Sequence, residues 1–340
     1  MRIKTFFPEV FASLSSGLIA FFVLMWVPAG YAKADSPYLF YLEAQAVAGY
    51  SENMRNPVYQ SMNRDDVMQK PSLGFDYLHR LSSEGGDWGA IALQARFAYN
   101  DAGSPEIEPQ LYNAYFKYKA GIADLWAGHN RPAFGLSSYF DSHALLLPTL
   151  SMLGFGFDRD WGIGAYREFQ WGTTSLTVTT GSGMGLHTRD NYLVAARVSK
   201  GFLSQDNYTL GFSAAYGDIL DVMGYELMMP DPVKFYGVST DFTYLWNNFE
   251  SRFDIFTGKK GGEPSYAFLW RLGVNLADEG RLKLEVQPVY HKTGDERTYQ
   301  IYGGISYQLT ADLTARGMYM YEDETDDQRV IFQLYGYSRR

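Results

Sequence analysis

Apolar and polar side chains alternate with a period of two from Leu39 almost to the end of the chain. In one segment Leu282 and Leu284 alternate with Lys283 and Glu285, which is the period of a β-strand and not of an α-helix. Sixteen segments follow this pattern, at residues 39–50, 72–81, 88–100, 110–119, 122–129, 159–170, 173–181, 191–200, 206–217, 234–246, 249–258, 266–276, 281–291, 298–309, 312–321 and 329–338. Lengths of about ten residues with aromatic side chains near the ends are typical of membrane-spanning barrel strands. A soluble β-sandwich would alternate in the same way, but with generally shorter strands. The sequence therefore predicts an all-β fold, a transmembrane antiparallel β-barrel of about 16 strands.

The connections between these segments alternate in length. Short connections lie at 83–87, 120–121, 171–172, 203–205, 247–248, 278–280 and 310–311, and longer ones between them include 51–71, 130–158 and 218–233. Short turns on one side and long loops on the other are the pattern of outer-membrane barrels. Closure of the barrel would also remove the exposed strand edges that so many strands create.

The first 34 residues have the organisation of a signal peptide. Arg2 and Lys4 are basic, an apolar run follows over residues 18–27, and small residues stand at Ala32 and Ala34. The alternative is a membrane anchor, but the dense apolar run is only about ten residues, short of the roughly 20 that a spanning helix needs. We predict a signal peptide at 1–34 and a barrel at 35–340, located in a bacterial outer membrane among its lipids and lipopolysaccharide.

Composition argues against several classes of function. The chain has no cysteine, so it has no disulfide, no thiolate metal site and no CxxCH haem attachment. Its formal charge of −9 disfavours nucleic acid as a partner. GxSxG, HExxH and P-loop motifs are absent and the five histidines are scattered, so we predict no enzyme, no metal and no cofactor. A catalytic site that only the fold assembles stays open as an alternative.

If the apolar side chains face lipid, the intervening side chains face the lumen. Ten residues are predicted to line the pore: Arg96, Lys117, Arg197, Arg252, Arg271, Lys283, Arg316, Glu43, Asp241 and Glu285. Sixteen strands enclose an aqueous channel, and a basic lining favours anions. The sequence therefore predicts a mild preference for anions, with a salt-bridged lining that merely tolerates water as the alternative.

The connection at residues 130–158 is the longest between two predicted strands. A loop longer than about 12–15 residues in a compact domain is usually functional. We predict that it folds into the lumen as the third extracellular loop and forms a constriction. Phe134 would contribute to anchoring it on the wall, while Arg131, Asp141 and His143 would face the water-filled gap. The alternative is an outward lid packed on neighbouring loops.

Three short motifs near this loop carry a resemblance. They are Gly128-x-x-Arg131-Pro132-x-Phe134-Gly135, then Arg159-Asp160-x-Gly162, then the strand Leu176 to Gly181 followed by Gly183. In these motifs the chain resembles the phosphate-selective porin O and porin P family of outer-membrane barrels. The resemblance implies a sixteen-stranded, homotrimeric diffusion channel with an inward-folded third loop.

Two functions from different classes follow from these patterns. The first is a porin that gives passive diffusion of small hydrophilic solutes or anions. The second is a structural sleeve, a barrel that holds a partner protein such as an electron-transfer cytochrome across the outer membrane. The two differ in the lumen, because a sleeve needs no loop of its own inside the barrel.

Overall fold

The computed structural model describes residues 36–62, 69–100, 106–277 and 280–340. The predicted signal peptide at 1–34 lies outside the described residues. Within these ranges the chain forms β-strands almost throughout, with two short 3-10 helices, Leu136–Ser138 and Leu150–Leu153, and one short α-helix, α1 (Leu203–Asp206). None of the helices in these ranges is long and apolar enough to cross a membrane.

The strands form one closed sheet. They are β1 (Tyr38–Ser51), β2 (Asn56–Val58), β3 (Ser72–Ser83), β4 (Gly86–Tyr99), β5 (Ile107–Lys119), β6 (Asp124–Asn130), β7 (Asp160–Phe169), β8 (Gly172–Thr179), β9 (Tyr192–Lys200), β10 (Tyr208–Met223), β11 (Glu226–Trp246), β12 (Phe249–Lys260), β13 (Glu263–Leu276), β14 (Leu282–Thr293), β15 (Glu296–Thr310), β16 (Leu313–Glu322) and β17 (Asp327–Arg339). Neighbouring strands are antiparallel, and β1 pairs with β17 from Tyr41–Arg339 to Ser51–Arg329. The short β2 pairs only with the end of β1, whereas β1 itself pairs with β3. The wall therefore has sixteen strands, which confirms the predicted barrel.

The alternation of the sequence places apolar side chains on the outside of this wall. On β4, Phe97 is 62% exposed while its neighbour Arg96 is 2% exposed. The same contrast recurs around the barrel, where Phe212, Ile163 and Phe332 are exposed on their strands. An apolar outer face is what a barrel presents to lipid. The strands cross the membrane, and the polar side chains of the opposite face point inward.

Residues 218–233, predicted as a loop, instead extend a β-hairpin. The strands β10 and β11 continue to Met223 and Glu226, so that the turn contains only Gly224 and Tyr225. Gly224 has a φ of 62°, which a glycine adopts without the steric cost of a Cβ. The prediction was wrong because the charged residues of this segment obscured its alternation.

The tip of this hairpin contacts the wall at β5. The Tyr225 hydroxyl donates a hydrogen bond to the carbonyl of Leu111 at 2.8 Å and accepts one from the Leu111 amide. These backbone groups are free because β5 has a bulge, where Ala95 pairs with Leu111 but Gln94 pairs with Asn113. A bulge inserts one extra residue into a strand and redirects its side chain. Here that residue is Tyr112, which is buried.

The inner face differs from the prediction in one respect, because it also carries apolar side chains. Those that are buried there include Leu193, Phe235, Phe256, Leu269, Tyr302 and Ile331. They form a cluster with residues of the connection between β6 and β7. Apolar side chains that would otherwise be exposed to water in the lumen are thus buried by this connection.

Candidate functional site

The connection between β6 and β7, residues 131–159, lies inside the barrel and is called the constriction loop below. Its first part crosses the lumen away from β6. The amide of Gly135 donates to Ser213 Oγ on β10 at 2.9 Å, and the amide of Leu136 donates to Asp254 Oδ2 on β12 at 3.1 Å. The predicted inward fold is confirmed, and an outward lid is excluded.

The second part of the loop is held by strands on the far wall. Arg271 on β13 donates to the carbonyls of Leu147 and Pro148, both at 3.0 Å. Gln287 on β14 donates to the same Pro148 carbonyl at 3.0 Å. The carbonyls of Leu147 and Pro148 lie outside any helix or strand, so these side chains of the wall supply their hydrogen-bond donors. Arg271 is 1% exposed, so this predicted pore-lining residue serves as a buried anchor of the loop.

Apolar packing supports these hydrogen bonds. Phe134 is 5% exposed and its ring meets those of Phe235 and Phe256 edge-on, with centroids 6.2 and 6.0 Å away. Leu146 and Leu150 of the loop are buried in the same cluster. Burying one such side chain contributes about 1.5–3 kcal/mol. Phe134 thus packs against β11 and β12 of the wall.

Guanidinium groups cover the aromatic rings of the loop. Arg197 lies 4.7 Å from the ring centroid of Tyr139, and Phe140 lies between Arg252 at 4.4 Å and Arg271 at 5.1 Å. A cation over a ring face is attracted by the ring quadrupole, with about 0.5–2 kcal/mol for each contact. The basic residues of the wall therefore bind the loop as well as neighbouring carboxylates.

One carboxylate of the loop remains accessible to water. Asp141 has a 61% exposed side chain and lies 2.6 Å from Arg131 and 3.6 Å from Arg159. Enclosure in the lumen raises the pKa of Asp141, but the positive charges of Arg131 and Arg159 outweigh this effect and lower the pKa to about 2. Asp141 therefore carries its negative charge throughout the physiological pH range.

His143 is buried, in contrast to the prediction that it faces the gap. It is 5% exposed, and its Nε2 lies 2.7 Å from Glu43 Oε2 on β1. Its ring packs edge-on against Tyr112, with centroids 4.0 Å apart. The bulge in β5 directs Tyr112 to this position, and Arg96 contacts the same tyrosine at 3.0 Å. The alternation of side chains along β5 does not by itself indicate this bulge.

Most of the ten predicted lining residues lie in pairs or buried contacts on the inner wall. The described ion pairs among them are Lys117–Asp124, Arg197–Asp241, Arg252–Glu250, Lys283–Glu250, Lys283–Glu285 and the longer Arg96–Glu43 contact. Arg316 donates to Gln333 at 2.9 Å and covers the ring of Tyr335. That these residues line an open pore stays a prediction.

The loop borders two cavities of the lumen. The upper cavity, of about 340 Å³, lies on the long-loop side and includes Asp158 and Arg159 in its lining. The lower cavity, of about 630 Å³, lies on the short-turn side and includes Arg131. Asp141 contacts one arginine of each cavity. These three charged residues lie where the loop borders both cavities, and they are called the neck below.

Asp160 organises the loop that follows β8. Its carboxylate accepts hydrogen bonds from the amides of Gly181, Ser182 and Gly183 at 2.7, 3.2 and 3.1 Å. Gly181 and Gly183 have φ values of 68° and 67°, in the region that favours glycine. The Arg159-Asp160-x-Gly162 motif and the distant glycines are thus parts of one structural unit.

Comparison with solved structures supports the barrel architecture. No family model matches the sequence, and no curated protein is similar to it in sequence. Among solved structures, the trimer form of in-vitro folded OmpT from Vibrio cholerae is similar with a TM-score of 0.61 and 13% identity over 88% of this chain and 99% of that one. An anion-selective porin from Comamonas acidovorans is similar with a TM-score of 0.61 and 10% identity, over 88% of this chain and 98% of that one. The outer membrane channel DcaP of Acinetobacter baumannii is similar with a TM-score of 0.59 and 10% identity, over 92% of this chain and 100% of that one.

The chain has an outer-membrane porin fold. Similarity at these identities concerns the course of the backbone and leaves the solute undetermined. The resemblance to phosphate-selective porins is supported at the level of this fold only, since no family model matches.

Proposed function

We propose that the protein is a channel of the bacterial outer membrane through which small hydrophilic solutes diffuse passively. The observation that carries this proposal is the charged neck of Arg131, Asp141 and Arg159, which borders two cavities inside a closed barrel. A loop inside a barrel of this size reduces an aqueous lumen to a selective passage. Charged groups at the narrowest point act on solutes at short range.

The proposed preference among ions is weak. At the neck Arg131 and Arg159 face two carboxylates, Asp141 and Asp158, so the neck itself carries little net charge. Elsewhere the ion pairs of the inner wall cancel much of the basic excess, because each paired arginine or lysine shares its field with a carboxylate. Phosphate selectivity has no support beyond the sequence resemblance.

The apolar outer face requires a lipid environment, and we propose outer-membrane lipid and lipopolysaccharide as the surroundings of the barrel. We also propose a homotrimer, which the sequence resemblance implies and which the trimer form of V. cholerae OmpT supports by analogy of fold. No enzymatic activity forms part of the proposal. Among the described residues no cluster of His, Asp and Glu is suited to hold a metal ion.

The sleeve hypothesis is disfavoured by the loop. Phe134, Leu146 and Leu150 fill part of the lumen and pack against both neighbouring and distant strands. A partner protein inside the barrel would have to displace this packing. The hydrogen bonds that the Gly135 and Leu136 amides donate to the wall, and the one that the Pro148 carbonyl accepts from it, would also have to break.

Reconstitution tests the proposal directly. The mature chain, inserted into planar bilayers, should give discrete conductance steps in KCl, and proteoliposomes should swell in isotonic solutions of small neutral solutes. Correctly folded protein that gives neither conductance nor swelling would contradict a diffusion channel. Folding is checked independently by circular dichroism, which should be dominated by β-structure.

A further inference from the structure

The lower cavity has two chemically different halves. Tyr115 on β5, Trp126 on β6 and Tyr166 on β7 project inward from three adjacent strands, and Tyr139 of the constriction loop lies above them. Each of these rings is partly buried and partly open to the cavity. The halves meet below the loop, in a volume of about 630 Å³, which lies within the range of about 300–1,000 Å³ for small-molecule sites.

Trp126 is held in place by the strand beside it. It lies opposite Gly164 of β7 in the antiparallel register. A Cβ on Gly164 would lie only 2.3 Å from the indole Nε1 of Trp126, so the ring rests against the bare backbone of that glycine. An aromatic platform is therefore built into the wall.

The other half of the cavity is rich in hydroxyl groups. Thr173 and Ser175 on β8, Ser199 on β9 and Thr209 on β10 line it. The hydroxyls of Thr173 and Ser199 lie 2.8 Å apart. A hydroxyl both donates and accepts hydrogen bonds, so this surface can match a solute that does the same.

The charged groups of the cavity are compensated. Lys117 lies 2.6 Å from Asp124, and Arg131 lies 2.6 Å from Asp141. Arg197 lies 2.7 Å from Asp241, which is fully buried. A solute bound between them need not carry charge to balance the site.

We propose that the lower cavity binds neutral polyhydroxylated solutes, with the size and chemistry of mono- and disaccharides. The C–H face of a pyranose ring packs on Trp126 and Tyr115, while its hydroxyl groups exchange hydrogen bonds with Ser175, Ser199 and Thr209. The inference rests on the proposed channel function and names the class of solute that it selects. Such a site would concentrate the solute in the lower cavity, directly beside the neck.

Maltose provides the probe. The mature channel is inserted into planar bilayers in KCl, and the ion current is measured as maltose is added to each side. We expect a saturable decrease of the current, because bound sugar fills the path of the ions. Trp126→Ala should raise the half-blocking concentration about tenfold, which corresponds to one lost aromatic contact. Trp126→Phe should restore most of the affinity.

Two further variants separate binding from folding. Gly164→Ala leaves Trp126 in the sequence but displaces its ring, so it should weaken the maltose block as well. Tyr118→Ala, on the lipid-facing side of β5, should leave the block unchanged. Equal half-blocking concentrations in the wild type, Trp126→Ala and Gly164→Ala would overturn the site.

The outcomes for the site and for the channel are distinguishable. Channels that conduct KCl but are not blocked by maltose overturn the sugar site and leave the proposed channel function standing. Block by benzoate but not by maltose also overturns it, and assigns the cavity to aromatic anions. Folded protein without any conductance contradicts the channel itself.

Discussion

His143 Nε2 lies 2.7 Å from Glu43 Oε2 on β1, four strands along the wall from β6, which leads into the constriction loop. This contact ties the middle of the loop to β1, the strand that closes the barrel against β17. Because both side chains are buried, the contact is shielded from water and salt. It therefore holds the loop where its own backbone has no regular structure.

Replacing His143 by Ala should loosen the loop. The change leaves the Glu43 carboxylate buried with its hydrogen bond lost, at a cost of about 1–3 kcal/mol. We expect larger current fluctuations in single-channel recordings and a lower midpoint of thermal unfolding in detergent. His79→Ala, at the short-turn end of β3, is the matched control. Recordings as quiet as those of the wild type would show that the contact does not restrain the loop.

Deleting Ser137 to Ser151 should raise the single-channel conductance several-fold. This segment includes the loop residues that reach β1, β13 and β14, and without it the lumen regains its width. Circular dichroism must show that the deletion variant is still a β-barrel. An unchanged conductance in such a folded variant would mean that ions pass elsewhere.

Phe134→Ala should destabilise the protein by about 3–5 kcal/mol, because it leaves a cavity among Phe235 and Phe256. Unfolding in urea, measured by tryptophan fluorescence in lipid vesicles, gives the free energy. The control is Phe212→Ala, since Phe212 is 51% exposed on the outer face. Equal losses for the two variants would contradict the anchoring role.

Neutralising Asp141 should increase the preference for anions. Asp141→Asn leaves Arg131 without its carboxylate partner at the neck, so the reversal potential in a KCl gradient should shift toward that of chloride. Arg131→Ser should shift it in the opposite direction. A reversal potential that neither variant changes would place the ion path away from the neck.

The pKa of Asp141 predicts how ion selectivity depends on pH. The pKa of Asp141 is lowered to about 2, below its usual value of about 3.9. A depressed folded-state pKa stabilises the protein above the unfolded-state pKa, and this contribution is lost as the pH falls through the folded-state value. Since the side chain is exposed, the energetic effect is small. In the wild type the contribution of Asp141 to ion selectivity should therefore stay constant from neutral pH to about 4. In Asp141→Asn it is absent throughout.

Asp160→Ala should expose the loop between β8 and β9 to protease. The amides of Gly181, Ser182 and Gly183 would lose their common acceptor, while Arg189 in the same loop is exposed. Limited trypsin digestion should cut after Arg189 faster than in the wild type. Asp160→Asn keeps one acceptor oxygen, so its cleavage rate should lie between those of the wild type and Asp160→Ala. Equal cleavage rates in all three would show that Asp160 does not order the loop.

The alternation of side chains determined the wall of this protein. A strand in a barrel has one face toward lipid and one inward, so pairs such as Arg96 and Phe97 reveal both the strand and its orientation in sequence alone. The length of residues 130–158, together with apolar positions such as Phe134, indicated that this connection belongs inside. These inferences rest on local periodicity and need no knowledge of neighbours.

Only the tertiary structure decided what the inward side chains contact. Glu43 and His143 are one hundred residues apart, and their contact depends on closure of the sheet and on the bulge that directs Tyr112 inward. Asp160 and the glycines that it binds are brought together by the pairing of β7 with β8. Alternation specifies a face but no partner, because every strand repeats the same pattern. Which arginine anchors a carbonyl and which carboxylate stays in water depends on how one long loop packs across the lumen.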